Sequence, residues 1–141
     1  MSWLAVDRIR ERLLEVGAFA LVEGIAGLSL ADDAALASPA AFVFEAESVA
    51  GPNTRATGGL LQRVEADIAV VVVVRNDGDI TGAAASDEIT PLEAAVRSTL
   101  LGWLPENPFE PLTLVSTKTV RARKGVVWRE ILFATAYYLE A

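Results

Sequence analysis

The chain has no cysteine and no histidine among its 141 residues. Without cysteine it forms no disulfide, offers no thiolate nucleophile and builds no cysteine-ligated zinc site. Without histidine it lacks the commonest general base and the commonest metal ligand. Ser-His-Asp and Cys-His machinery is therefore out of reach within this chain. Asp, Glu, Tyr, Lys and Arg remain, so catalysis is narrowed rather than abolished. No cofactor is implied by any pattern in the sequence. Long apolar runs are missing too. The longest is Ile68 to Val74, far short of the roughly 20 residues of a membrane-spanning helix. No membrane partner is expected. The start, Met1 to Arg8, lacks the basic-then-apolar layout of a signal peptide. A soluble protein made inside the cell is the expectation.

Basic side chains are the minority. There are 12 Lys/Arg against 19 Asp/Glu, a net charge of −7. That balance argues against general duplex-DNA binding, which works by neutralising phosphates. The charge is also uneven. Residues 1–110 carry 7 basic and 17 acidic side chains, while residues 111–141 carry 5 and 2. An acidic body with a basic C-terminal segment suits head-to-tail or face-to-face protein contacts; the plainer reading is a solvated hairpin.

The length fits one domain spanning residues 1–141. Such a chain can bury roughly 68–70% of its unfolded surface without a metal or disulfide staple. Trp3, Val6, Ile9, Leu13 and Val16 recur near every 3.6 residues and predict a first helix, stopped at Gly17. Phe19 to Ala26 reads as a strand. A short helix over Leu30 to Ala37 follows, with Ser29 as N-cap and Pro39 beyond it. Ala41 to Val49 alternates as a strand.

Gly51 to Gly59 is the most loop-like stretch, with three glycines and one proline. It is longer than an ordinary hairpin loop of about 2–5 residues. Val64 to Arg75 is the clearest strand; its valine-rich end is apolar on both faces, as a central strand requires. Thr90-Pro91-Leu92-Glu93 reads as a helix start with Thr90 as N-cap and Glu93 closing a capping box. Leu92, Val96, Leu100 and Trp103 then mark one apolar face, with Glu93 and Arg97 pairing on the other side. Leu112 to Ala122 and Val126 to Leu139 form a final hairpin turning at Arg123-Lys124-Gly125. The order predicts an α+β fold: a mostly antiparallel sheet of about five strands, with two main helices and one short helix.

Few residues carry chemistry. Asp77, Asp79, Thr81 and Glu88 occupy positions 1, 3, 5 and 12 of a calcium-loop spacing, with Gly82 at position 6. A valine strand precedes the loop instead of a helix, and Thr and Ala84 stand where Asp/Asn and a larger apolar residue are usual. The plainer reading is a polar strand-to-helix connection. The carboxylate pairs Asp32/Asp33, Glu45/Glu47 and Glu65/Asp67 read as solvent-facing groups rather than a hydrolase dyad. No phosphate-binding glycine motif occurs. Lys118, Arg121, Arg123 and Lys124 form a basic cluster at one hairpin tip, without the interleaved aromatics that stack bases.

Taken together, the chain resembles the tail terminator (tail completion) proteins of long-tailed bacteriophages. The resemblance spans nearly the whole chain. It rests on the first helix ending near Gly17, on Ser38-Pro39-Ala40-Ala41-Phe42-Val43, and on the glycine-rich loop with Gln62 leading into Ile68 to Arg75. It continues through Leu100-Leu101-Gly102-Trp103-Leu104-Pro105 and the hairpin with Trp128 and Ile131-Leu132-Phe133-Ala134-Thr135.

The resemblance implies a structural, non-enzymatic protein of the virion tail, made in the bacterial host cytoplasm. It implies a homo-hexameric ring on the tail tube protein that stops tube growth and presents a surface to the head-completion or connector protein. DNA would pass the lumen without sequence-specific contact. Arg55, Gly58 and Gly59 in the loop, and Lys118, Arg121, Arg123 and Lys124 in the hairpin, become candidate partner contacts. A tube or head-completion protein of similar fold is the alternative; a calcium- or small-ligand-binding module using Asp77 to Glu88 is a more distant one.

Overall fold

The structure is a computed structural model that describes residues 2–26, 38–75, 83–106, 109–123 and 125–141. The elements run α1 (Ser2–Val16), β1 (Leu21–Glu23), β2 (Ala40–Asn53), β3 (Leu61–Arg75), α2 (Ala83–Leu100), β4 (Thr113–Arg123) and β5 (Val126–Glu140). The expected short helix over residues 30–37 lies outside the described residues. So do most of the calcium-like residues, Asp77, Asp79 and Thr81, and the hairpin-tip residue Lys124.

The strands form one sheet in the order β1-β2-β3-β5-β4. The short β1 runs parallel to β2, and every other neighbour is antiparallel. The α+β expectation therefore holds, with two helices against a five-stranded, mostly antiparallel sheet.

The valine run does what its two-sided apolarity demands. β3 is the middle strand, and every residue from Ile68 to Val74 is buried. Ile68, Val70, Val72 and Val74 pack with Ile9 and Leu13 of α1 and Ile89 and Val96 of α2. Val71 and Val73 point the other way and join Phe42 and Trp128 in a second, smaller cluster. Alternation of a strand's side chains thus gives each face its own core.

Helix α1 buries Ala5, Ile9 and Leu13 completely. Val16, expected on the same face, is 44% exposed because the helix ends there. The Gly17 amide donates to the Leu14 carbonyl at 3.2 Å, and Gly17 takes the left-handed conformation of a helix stop.

Helix α2 departs from expectation at its start. It begins at Ala83, seven residues before Thr90, and Pro91 lies inside it. Thr90 is therefore no N-cap, and Glu93 closes no capping box. Proline removes one helical hydrogen bond but does not stop a helix whose flanking residues are anchored. Ile89 just before it and Val96 after it are both fully buried against the sheet.

The strand boundaries also shift. β1 is three residues long rather than the stretch Phe19 to Ala26. β2 runs on through Gly51 and Pro52 to Asn53, which pairs with Gln62. An irregularity between Ala50 and Asn53 absorbs the residues that read as loop. The Asn53 side-chain oxygen then accepts from the amides of Arg55 at 3.0 Å and Leu61 at 2.9 Å, closing the connection.

Candidate assembly surfaces

The central strand β3 sets the scale. Its 15 residues span roughly 46–50 Å at about 3.3 Å per residue. The described candidate contact residues do not gather in one site along this length: Arg55, Gly58 and Gly59 stand beyond one end, while Lys118, Arg121 and Arg123 are spread along β4 in the other half.

Arg55, Gly58 and Gly59 belong to the connection beyond Asn53, at the end of the sheet farthest from the β4–β5 turn. Arg55 pairs with Glu140 at 3.5 Å. Leu60 and Ala141 exchange two backbone hydrogen bonds, 2.7 and 3.1 Å long. Gly59 has φ +75°, and a Cβ there would collide with the Ala141 carbonyl. Glycine is required at this position on both counts. The tip is therefore a tied structure, exposed on its outer side from Asn53 to Leu60.

Lys118, Arg121 and Arg123 lie along β4 instead of forming a single tip cluster. Lys118 pairs in register with Glu130, Arg121 with Trp128 and Arg123 with Val126. Lys118 and Arg121 are three residues apart, which in a regular strand puts them on opposite faces. A bulge between Thr119 and Arg121 changes that, and both stand on the face opposite the helices. The Arg121 guanidinium lies 5.5 Å from the Trp128 ring centre, and Lys118 Nζ is 3.8 Å from Glu130.

A bulge on β2 does the reverse. Between Glu45 and Glu47 the register shifts, so Glu45 pairs with Ile68 on the helix side and Glu47 with Asp67 on the other. Glu45 and Glu47, which regular strand alternation would put on one face, are thereby separated. Glu47 instead joins Asp67 and Glu65, giving that face an acidic middle.

A second ion pair braces the same end of the sheet as Arg55–Glu140. Arg63 of β3 grips both oxygens of Glu110, with the Nη2–Oε1 distance 3.0 Å. Glu110 is itself held by its backbone: its amide donates to Ala136 and its carbonyl accepts from the Thr135 hydroxyl at 2.6 Å. The hydrogen bond from Arg63 pulls the Glu110 carboxyl below its ordinary range. The same bond, with a smaller contribution from Tyr138, raises the Arg63 guanidinium.

The Gly102-Trp103-Leu104-Pro105 motif is a junction of three elements. Gly102 takes φ +76°, its amide donates to the Leu112 carbonyl at 2.7 Å, and the Leu112 amide returns a 2.9 Å bond to Trp103. Arg12 of α1 stacks 4.7 Å from the Trp103 ring centre and donates to Thr99 of α2. The motif ties both helices to the start of β4.

Among the described residues no three Asp or Glu side chains gather as a metal site. Glu88 lies on α2. No helix among the described residues is long and apolar enough to cross a membrane.

Comparison with known proteins decides the family. The chain matches the description "Phage tail terminator protein" over residues 1–141. The chain belongs to the phage tail terminator protein family. Tail terminators are structural, non-enzymatic proteins, so this chain is a structural component of a virion, which assembles with other tail proteins. Its fold is similar to a chain in the "Virion of native gene transfer agent (GTA) particle". The two align with a TM-score of 0.51 and 15% identity, over 92% of this chain and 84% of that one. No curated protein sequence matches it.

Sequence reasoning missed the residues that shape these terminator surfaces, chiefly the bulges on β2 and β4 and the Arg63–Glu110 brace. Nothing in Thr119-Val120-Arg121 signals a bulge, because valine is an ordinary strand residue.

Proposed function

We propose that the protein closes into a homo-hexameric ring that caps a tail tube, stops its polymerisation and offers the surface to which the head connector joins. The family match over residues 1–141 carries this reading. The sheet supports it: both of its borders are strands, so one copy can contact the next through different surfaces. Such heterologous contacts close into rings when the rotation allows.

The helices cover one face of the sheet. In a ring they take the outside, where the circumference is larger. The other face, with Glu47, Glu65 and Asp67 toward one end and Lys118 and Arg121 toward the other, then lines the lumen. The tied tip with Arg55, Gly58 and Gly59 stands at one end of the ring and meets the neighbouring ring of tube protein.

The test is mass in solution by light scattering, alone and with purified tail-tube protein. A ring of six copies on the end of short tubes, and tubes that stop lengthening on its addition, is the expected result. A protein that stays monomeric with tubes, and leaves their growth unchanged, overturns the reading.

A further inference from the structure

The two borders of the sheet are unlike in a way that defines how copies meet. β4 is a border strand along its whole length, and among the described residues no strand pairs with its outer side. At the other border β1 covers only Ala40 to Phe42 of β2. Beyond Phe42 no strand among the described residues pairs with the outer side of β2. The free stretch of β2 carries Glu45 and Glu47 and no base; β4 carries Lys118, Arg121 and Arg123 and no acid. Val115 and Val120 on β4 are 52% and 54% exposed, and Val49 on β2 is 58% exposed. Val49 and Pro52 line an open, mostly apolar groove with Arg63 and Glu65.

Bulges and proline on these borders guard against indiscriminate pairing. Both devices are present: β4 is bulged at Val115 and Val120, and β2 is irregular at Ala46 and around Pro52. A guarded border accepts only a partner that matches its shape and charge.

We infer that β4 of one copy pairs antiparallel with the Val43–Ala50 border of β2 in a second copy, with Lys118 opposite Glu47. This rests on the ring reading above and specifies its contact. Strand direction permits it. Three successive antiparallel pairings run from β2 to β4, so β4 points opposite to β2, and a rotated copy presents β2 in the antiparallel sense. Face continuity permits it as well. Lys118 and Glu47 both stand on the face away from the helices, while Thr117 and Ser48 both stand on the helix side, paired with Ile131 and Ala66.

The offset between the borders is the third argument. Within one sheet Lys118 is level with Val71 of β3, through Glu130, whereas Glu47 is level with Asp67. Four residues of β3 separate these levels, or about 13 Å at ~3.3 Å per residue. Four strands are ~19 Å wide. Joining the borders therefore tilts the strands by roughly 35°, which lies in the range of closed sheets. The same stagger that would spoil a flat sheet is the one a ring of sheets requires.

The absence of cysteine makes the contact directly readable. Ser48→Cys with Thr117→Cys, oxidised in the presence of tail-tube protein, should give a covalent ladder of up to six copies. Ser48→Cys with Ser98→Cys on α2 should give none. A ring of normal mass without the ladder overturns the border pairing and leaves the ring reading intact. Failure of the unmodified protein to assemble on tubes overturns both. Charge exchange supplies a second measurement on exposed residues. Glu47→Lys or Lys118→Glu alone should weaken ring formation by about tenfold, and the double variant should recover it. A double variant no better than the singles overturns the pairing.

Discussion

Arg129 Nε donates a 3.1 Å hydrogen bond to Glu93 Oε1, joining β5 to the buried side of α2. Glu93 is only 6% exposed, and Arg97 reaches its second oxygen at 3.2 Å. Arg129 stands in the helix-facing row of β5 among Val127, Ile131 and Phe133. A charge in that row is tolerated because its counter-charge descends from the helix above it.

Removing Glu93 should therefore cost more than an exposed ion pair does. Breaking a fully buried pair costs about 3–5 kcal/mol. Arg129 keeps 30% of its side-chain exposure, which lets water screen it in part. We expect Glu93→Ala to destabilise the fold by roughly 2–3 kcal/mol, less than a fully buried pair. Urea unfolding checks this, and a loss below about 0.5 kcal/mol would place the pair with surface contacts.

The Arg63–Glu110 brace gives an acid dependence. The Glu110 carboxyl is held below its ordinary value by the Arg63 hydrogen bond. A carboxyl depressed in the folded state stabilises the fold at pH above its unfolded value, and that contribution fades as pH falls through the folded value. Stability should thus decline on the acid side of the carboxylate range. Glu110→Gln should show a flatter decline, measured by urea midpoints at neutral pH and at successive acid values. Equal slopes in both proteins would refute the assignment.

Pro91 lies within α2 and deprives the helix of one amide. Proline in a helix interior costs about 3 kcal/mol relative to alanine. Its stiffening of the unfolded chain returns up to about 1 kcal/mol. Pro91→Ala should therefore raise stability by about 1–2 kcal/mol, seen as a higher midpoint in thermal unfolding. No gain would mean that the helix is already adjusted around the ring.

The far-reaching parts of the fold were legible where one physical signal acted alone. The two-sided apolarity of Ile68 to Val74 marked the central strand, because only a strand covered on both faces needs it. Ile9 and Leu13 marked the buried face of α1 by their spacing, and Gly17 and Gly125 marked their turns with φ +73° and +78°. The family resemblance was legible in motifs that prove to be junctions, above all Gly102-Trp103.

Misreadings arose where local signals were overruled. Thr90-Pro91 looks like a helix start in isolation, yet burial of Ile89 carries the helix through it. Gly51-Pro52 looks like a loop, yet pairing resumes at Asn53. The absence of cysteine and histidine, the acidic excess and the apolar spacing were determined by the sequence alone, and with them the fold class and the want of familiar catalytic machinery. Which charged groups share a face was decided only in the tertiary structure. One inserted residue in a strand moves every later side chain to the other face. It separates Glu45 from Glu47 and brings Lys118 to the side of Arg121. Bulges form where neighbouring strands pair, and a single strand's composition holds no record of its partner.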